Sequence, residues 1–175
     1  LNYFFKSDFL INLSTVNMSR KIAITSVDGH TGSLIAELLL TNESFKSKTS
    51  SVTGLALYPE SSQCIALQKL GAKIVPYTPG TGFKQLIQTL KAAQIDALCL
   101  IPPAHKDKYD ITTELIEIAE RVGIPNVCLL SAAGCDLAER DRQPRLREFV
   151  DIEARMMASK GDASTPTGHS PVIIR

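Results

Sequence analysis

The sequence predicts an α/β protein built on a doubly wound parallel sheet of about six strands. Short apolar runs bounded by glycine or proline alternate with longer segments whose apolar residues recur every three or four positions. No internal repeat interrupts this alternation. Runs and stripes in that order define βαβ units, which wind right-handed and pair in parallel. The first run also passes into the first stripe through a turn holding Gly29 and Gly32, the connection expected where a strand feeds a helix at a ligand crevice.

Residues 21–40 read strand, glycine turn, helix. Ile22, Ala23 and Ile24 form the apolar run, and Leu34, Ile35, Leu38 and Leu39 recur at helical spacing. Gly29 allows close approach of backbone to a ligand, and Gly32 allows the helix start to pack on the strand. The first helical N–H groups then face an anion. Ser26 occupies the place of the first glycine in a three-glycine dinucleotide fingerprint. On spacing alone the turn is either a phosphate cradle or an ordinary tight turn. Asp28 is expected to cap the helix by accepting backbone N–H bonds. His30 is read as either a pyrophosphate contact or a solvent-facing loop residue.

Residues 41–51 form a polar loop, and 52–58 a second strand ended by Pro59. Ser61 and Ser62 cap a helix over about 62–70, stopped by Gly71. A third strand covers 72–77. After a Pro/Gly turn at 79–82, Phe83, Leu86, Ile87 and Leu90 mark the next helix. Residues 96–101 are wholly apolar after Asp96 and bounded by Pro102 and Pro103, as expected of a central strand covered on both faces. A helix over 109–122 carries Ile111, Leu115, Ile118, Ala119 and Val122 and ends at Gly123. Strand five covers 126–131. Residues 132–145 are polar and longer than a median connection, which suggests a mobile flap. A helix over 146–159, a Gly/Pro/Thr-rich loop over 161–170 and a sixth strand over 171–175 complete the order.

Composition excludes several functions. At 175 residues and 44% apolar content, the chain is one domain able to bury a core. Nineteen basic and eighteen acidic residues leave a net charge of +1, so neither nucleic acid nor a membrane is expected as the partner. Cys64, Cys99, Cys128 and Cys135 show no zinc spacing, and Cys99 and Cys128 fall in apolar runs as small buried hydrophobes. An intracellular setting, cytoplasmic or nuclear, fits these thiols. Residues 1–17 lack the features of a signal peptide and read as a leader outside the fold, with the domain spanning 18–175.

In such a sheet, ligands bind beyond the carboxyl ends of the strands where strand order reverses. The candidate binding residues are therefore Ser26, Asp28, Gly29, His30, Thr31 and Gly32 in the turn, Tyr58 after strand two, Ile101 and Pro102 after strand four, and Ser131 after strand five.

With these elements in order, the chain resembles the NmrA-like branch of the atypical short-chain dehydrogenase/reductases. The motifs are Thr25 to Gly32 in place of a T-G-x-x-G-x-x-G turn, Leu100-Ile101-Pro102-Pro103, Leu130-Ser131-Ala132-Ala133-Gly134, and the closing Val172-Ile173-Ile174-Arg175. The resemblance implies a Rossmann domain that binds NAD or NADP, in members that are reductases or redox-sensing regulators without turnover. In that setting Ser131 is either a hydroxyl that contacts a carbonyl or a nicotinamide, or a turn former. The resemblance also implies that part of the substrate pocket comes from residues past the sixth strand.

This sequence departs from the pattern at Ser26, at Tyr58 where NADP-binding relatives carry arginine, and at Tyr77-Thr78 where an acidic residue often nears the adenine. The family's Tyr-x-x-x-Lys pair, in which lysine lowers the tyrosine pKa, has no match, since Tyr109 is the last tyrosine and Phe149 stands where an alternative lysine would align. Glu153 matches a glutamate frequent in the family's last helix and reads as exposed. Arg140, Arg142, Arg145 and Arg147 read as a solvated face, or as a flap for a partner or a 2′-phosphate. A non-enzymatic protein-interaction module that keeps the fold without cofactor stands as the alternative, and self-association is expected of an open edge strand.

Overall fold

In a computed structural model that describes residues 19–161 and 170–175, the alternation becomes one six-stranded sheet. The strands are β1 (Arg20–Ile24), β2 (Thr49–Ala56), β3 (Lys73–Pro76), β4 (Ala97–Leu100), β5 (Asn126–Leu130) and β6 (Ser170–Ile174). Their order is β3-β2-β1-β4-β5-β6, and every pairing is parallel. The helices are α1 (His30–Thr41), α2 (Glu43–Lys46), α3 (Ser62–Lys69), α4 (Phe83–Ala93), α5 (Lys108–Val122) and α6 (Pro144–Ala158).

Two cores follow from strand alternation, because successive side chains point to opposite faces. On one face Leu98, Leu100, Val127 and Leu129 bury against Leu86 and Leu90 of α4, Ile111, Leu115 and Ile118 of α5, and Ile152 and Met156 of α6. On the other, Ile24, Val52 and Ala56 bury against Ala36 of α1 and Cys64 and Leu67 of α3. The expected helix ends hold. The Ser61 side chain caps α3 by accepting from the Cys64 amide, and Gly123 ends α5 in the left-handed region at φ 80°.

Several boundaries differ from the sequence reading. Strand β2 starts at Thr49, three residues before its apolar run, because the ladder to β1 uses backbone and accepts exposed serines there. The polar loop over 41–51 contains α2, whose Asn42 side chain accepts from the Ser44 amide. The expected flap over 132–145 is anchored instead: Cys135 is fully buried in a 3-10 turn, Cys135–Leu137, Ala138 is 5% exposed, and α6 already starts at Pro144.

Strand β4 is central, and its two faces are covered unequally. Leu98 and Leu100 are buried, whereas Cys99 and Cys128 are half-buried register partners lining an apolar cavity of about 320 Å³ with Ile22, Leu39 and Val172. Burial still pushes the Cys99 thiol up to about 12, so it stays protonated. Most of the loop over 161–170 and the leader lie outside the described residues. No described helix is long and apolar enough to cross a membrane.

Candidate functional site

Strand order reverses between β1 and β4, since β1 leads outward to β2 while β4 leads to β5. All six strands being parallel, the residues after β1, β2, β4 and β5 emerge at one edge of the sheet. The glycine turn therefore stands at the reversal, with Ile101 and Pro102 directly beside it.

Side-chain hydroxyls knit the turn to β4. The Thr25 hydroxyl, 1% exposed, donates to the Ile101 carbonyl at 2.9 Å and accepts from the Ile101 amide at 2.7 Å. Ser26 adds a second bond to the same carbonyl at 2.8 Å. Ser26 holds φ at 52°, in the left-handed region that glycine enters freely. The missing first glycine is thus replaced by a residue that adopts glycine's conformation and gains a hydrogen bond from it.

Gly32 is the glycine the packing requires. A Cβ there would overlap the Ser26 carbonyl oxygen and lie 2.9 Å from the Thr25 carbonyl oxygen. Gly29 is less constrained. Its backbone is extended at φ −95°, and a Cβ would meet only the Ser26 carbonyl oxygen, at 3.3 Å.

The expected Asp28 cap is corrected by the structure. Asp28 turns toward β2, where its Oδ2 accepts from the Tyr58 amide at 2.9 Å, because that orphan amide at the strand end needs an acceptor. Gly29 is the N-cap of α1, no side chain caps it, and its first turn holds no acidic residue. The first intrahelical bond runs from Ser33 N to the Gly29 carbonyl at 3.1 Å. The amides of His30, Thr31 and Gly32 precede it, and such groups have no acceptor within their helix. They carry the positive end of the helix dipole toward the strand reversal. His30 and Thr31 are exposed here, and Tyr58 is 58% exposed after β2. Tyr77, by contrast, is buried in the core.

At the β5 end the structure gathers residues the sequence kept apart. Ser131 donates to Glu153 Oε1 at 2.5 Å, and Cys135 Sγ donates to the same oxygen at 3.5 Å. Arg175 grips the carboxylate from the end of β6, Nε to Oε1 at 2.9 Å and Nη2 to Oε2 at 2.6 Å. Glu153, expected on a solvated face, is 6% exposed. Arg175, with smaller help from Ser131 and Cys135, outweighs the cost of burial and holds its carboxyl down at about 2. The signal was present in the sequence, because Glu153 lies four residues after Phe149 and three before Met156, on one helical stripe.

Lys108 was also missed, although it extends the Ile111–Leu115–Ile118 stripe back by one turn. Only 5% exposed, it donates to the Arg145 carbonyl, pairs with Glu148 at 3.2 Å and sits 4.0 Å from the Phe149 ring centre. A lysine from α5 thus reaches α6 beside a cavity of about 420 Å³ lined by Pro102, Pro103 and Phe149. Among the arginines, Arg140 pairs with Asp151 at 2.9 Å and Arg142 with Glu139 at 3.1 Å. Arg145 and Arg147 donate to the His105 and Asp136 carbonyls.

No family model and no curated protein matches the sequence. Solved structures do match in shape. The triphenylmethane reductase of Citrobacter sp. complexed with NADP(H) superposes at a TM-score of 0.61 and 16% identity, covering 80% of this chain and 46% of that one. The NADPH-dependent quinone oxidoreductase QOR2 of Escherichia coli, complexed with NADPH, gives 0.63 and 19%, with 88% and 48% covered. A short-chain dehydrogenase from Streptomyces avermitilis gives 0.63 and 15%, with 89% and 64% covered. At these identities the likeness establishes the Rossmann-like fold, and the chain spans less than half the length of the two reductases.

Proposed function

We propose that this chain is a nicotinamide-dinucleotide-binding domain, taking NAD or NADP across the β1–β4 crevice. In this reading it belongs to an NmrA-like protein that is either an atypical oxidoreductase or a redox-sensing regulator. The observation that carries the reading is the uncapped first turn of α1, standing where strand order reverses. NADP(H) and NADPH in two structural neighbours of the same fold add support.

Each candidate residue then has a task. The amides of His30, Thr31 and Gly32 bind the pyrophosphate, and Gly29 leaves room for it. Ser26, held by Ile101, keeps the turn open toward the ligand. Tyr58 flanks the adenosine end, its ring offering an apolar face beside the Asp28-bound amide. Ile101 and Pro102 flank the middle of the dinucleotide, and Ser131 its nicotinamide end. A nicotinamide supplies hydride transfer when bound; the residues of this chain bind and orient it.

Isothermal titration of the 175-residue chain with NAD, NADP and their reduced forms tests the proposal, with thermal shift in parallel. Binding of at least one form is expected, and no heat with no shift for all four overturns it. The second reading is a cofactor-free interaction module. It is favoured by the open apolar face of β6, where Val172 and Ile174 are 54% and 53% exposed. The same null titration would support it.

A further inference from the structure

The polar cluster after β5 restricts what Ser131 can do. A serine hydroxyl has one proton to give and lone pairs to receive with. Here that proton goes to Glu153 Oε1 at 2.5 Å. Glu153 cannot release the bond cheaply, because Arg175 fixes both its oxygens and is itself tied to Asp136 Oδ2 at 3.4 Å. The Cys135 thiol, fully buried, lies 3.5 Å from Oε1 and 3.8 Å from the Ser131 oxygen, so with the Ser131 proton on Glu153 it can donate to either. Arg175 past the end of β6 and Glu153 on α6 thus fix the direction of the Ser131 proton. Ser131 is half-buried, and with one lone pair within reach of Cys135 its other lone pair is the hydrogen-bonding capacity it can present at the sheet edge.

We propose that Ser131 is a dedicated hydrogen-bond acceptor in the crevice, and that it recognises the carboxamide N–H₂ of a nicotinamide instead of donating to a carbonyl oxygen. This rests on the dinucleotide reading above and deepens it. A hydroxyl that must donate to a substrate carbonyl would have to abandon an ionised, doubly clamped carboxylate, and bonds to such a charge are the strong ones. An N–H donor asks for no such exchange. Glu153 and Arg175 act as positioning residues, fixing the direction of the Ser131 proton.

The test compares ligands that differ at one group. The probes are NADH or NADPH, whichever the chain binds, its 3-acetylpyridine analogue, in which methyl replaces the carboxamide N–H₂, and ADP, which lacks the nicotinamide. Calorimetry on Ser131→Ala should show about tenfold weaker binding of the carboxamide dinucleotide, the worth of one hydrogen bond. The acetylpyridine analogue and ADP should change by less than about twofold. Ser131→Thr keeps the hydroxyl and should keep the wild-type preference for carboxamide over acetylpyridine, which holds the test open if the alanine variant does not fold. Equal loss for both dinucleotides in Ser131→Ala, or no loss for either, overturns the acceptor role while leaving dinucleotide binding intact. Absence of binding by the wild-type chain overturns both.

Discussion

At the residue scale, the glycine turn shows how one hydroxyl can substitute for a conformational preference. Ser26 bears left-handed backbone that costs about 1–2 kcal/mol in a residue with a Cβ, and its bond to Ile101 returns about 1 kcal/mol. Ser26→Gly removes both terms. Its urea midpoint should therefore shift by no more than about 1 kcal/mol equivalent, while dinucleotide affinity rises. Unchanged affinity would mark the turn as architecture alone. Thr25→Val is different, because it strips a buried reciprocal pair and leaves the Ile101 amide without its acceptor. A loss of about 1–3 kcal/mol in chemical denaturation is expected.

Glu153 adds a pH signature at the same scale. Its folded pKa of about 2 lies below its ordinary value of 4.5. The stability it contributes is fully present above 4.5 and is lost as pH falls through that window toward 2. Glu153→Gln should flatten the acid limb of the stability curve between about pH 4.5 and about pH 2. An unchanged slope there would show that other carboxylates carry it.

At the scale of elements, α1 is set against β1 by the absence of a side chain. Gly32→Ala forces a Cβ onto the Ser26 and Thr25 carbonyls, backbone atoms that cannot swing aside, and should cost about 1–3 kcal/mol. Gly29→Ala meets one oxygen at 3.3 Å and should cost less than about 1 kcal/mol. Paired urea titrations of the two variants check the ranking, and equal losses would refute it. Helices and strands were legible in the sequence wherever an apolar stripe or run coincided with the element. The start of β2 was not, because Thr49 and Ser51 pair with Arg20 and Lys21 through backbone, Ser50 falls at the register shift between them, and their side chains carry no period. Lys108 and Glu153 were hidden for a related reason: both lie on buried stripes, but their charge reads as exposure until a partner from another element is seen.

At the scale of the whole molecule, the two faces of the sheet are unequally covered. Helices α4, α5 and α6 close one face, while Val172 and Ile174 on the other stay more than half exposed near an apolar cavity. Such a surface favours association. Val172→Lys with Ile174→Lys should reduce self-association in sedimentation experiments across protein concentration, and a wild-type chain that is monomeric throughout would contradict this.

The alternation of runs and stripes by itself determined the parallel sheet, its six strands, and the glycine turn after the first of them, because periodicity and turn chemistry are local properties. Only the tertiary structure decided that β1 and β4 are neighbours, which makes the turn the point of reversal. It also decided that Asp28 serves β2 and leaves α1 uncapped, and that Arg175 and Glu153, 22 residues apart, direct the Ser131 proton. These depend on which strand ends meet in space, and hydrogen-bond partners at a sheet edge are chosen by that proximity and not by spacing along the chain.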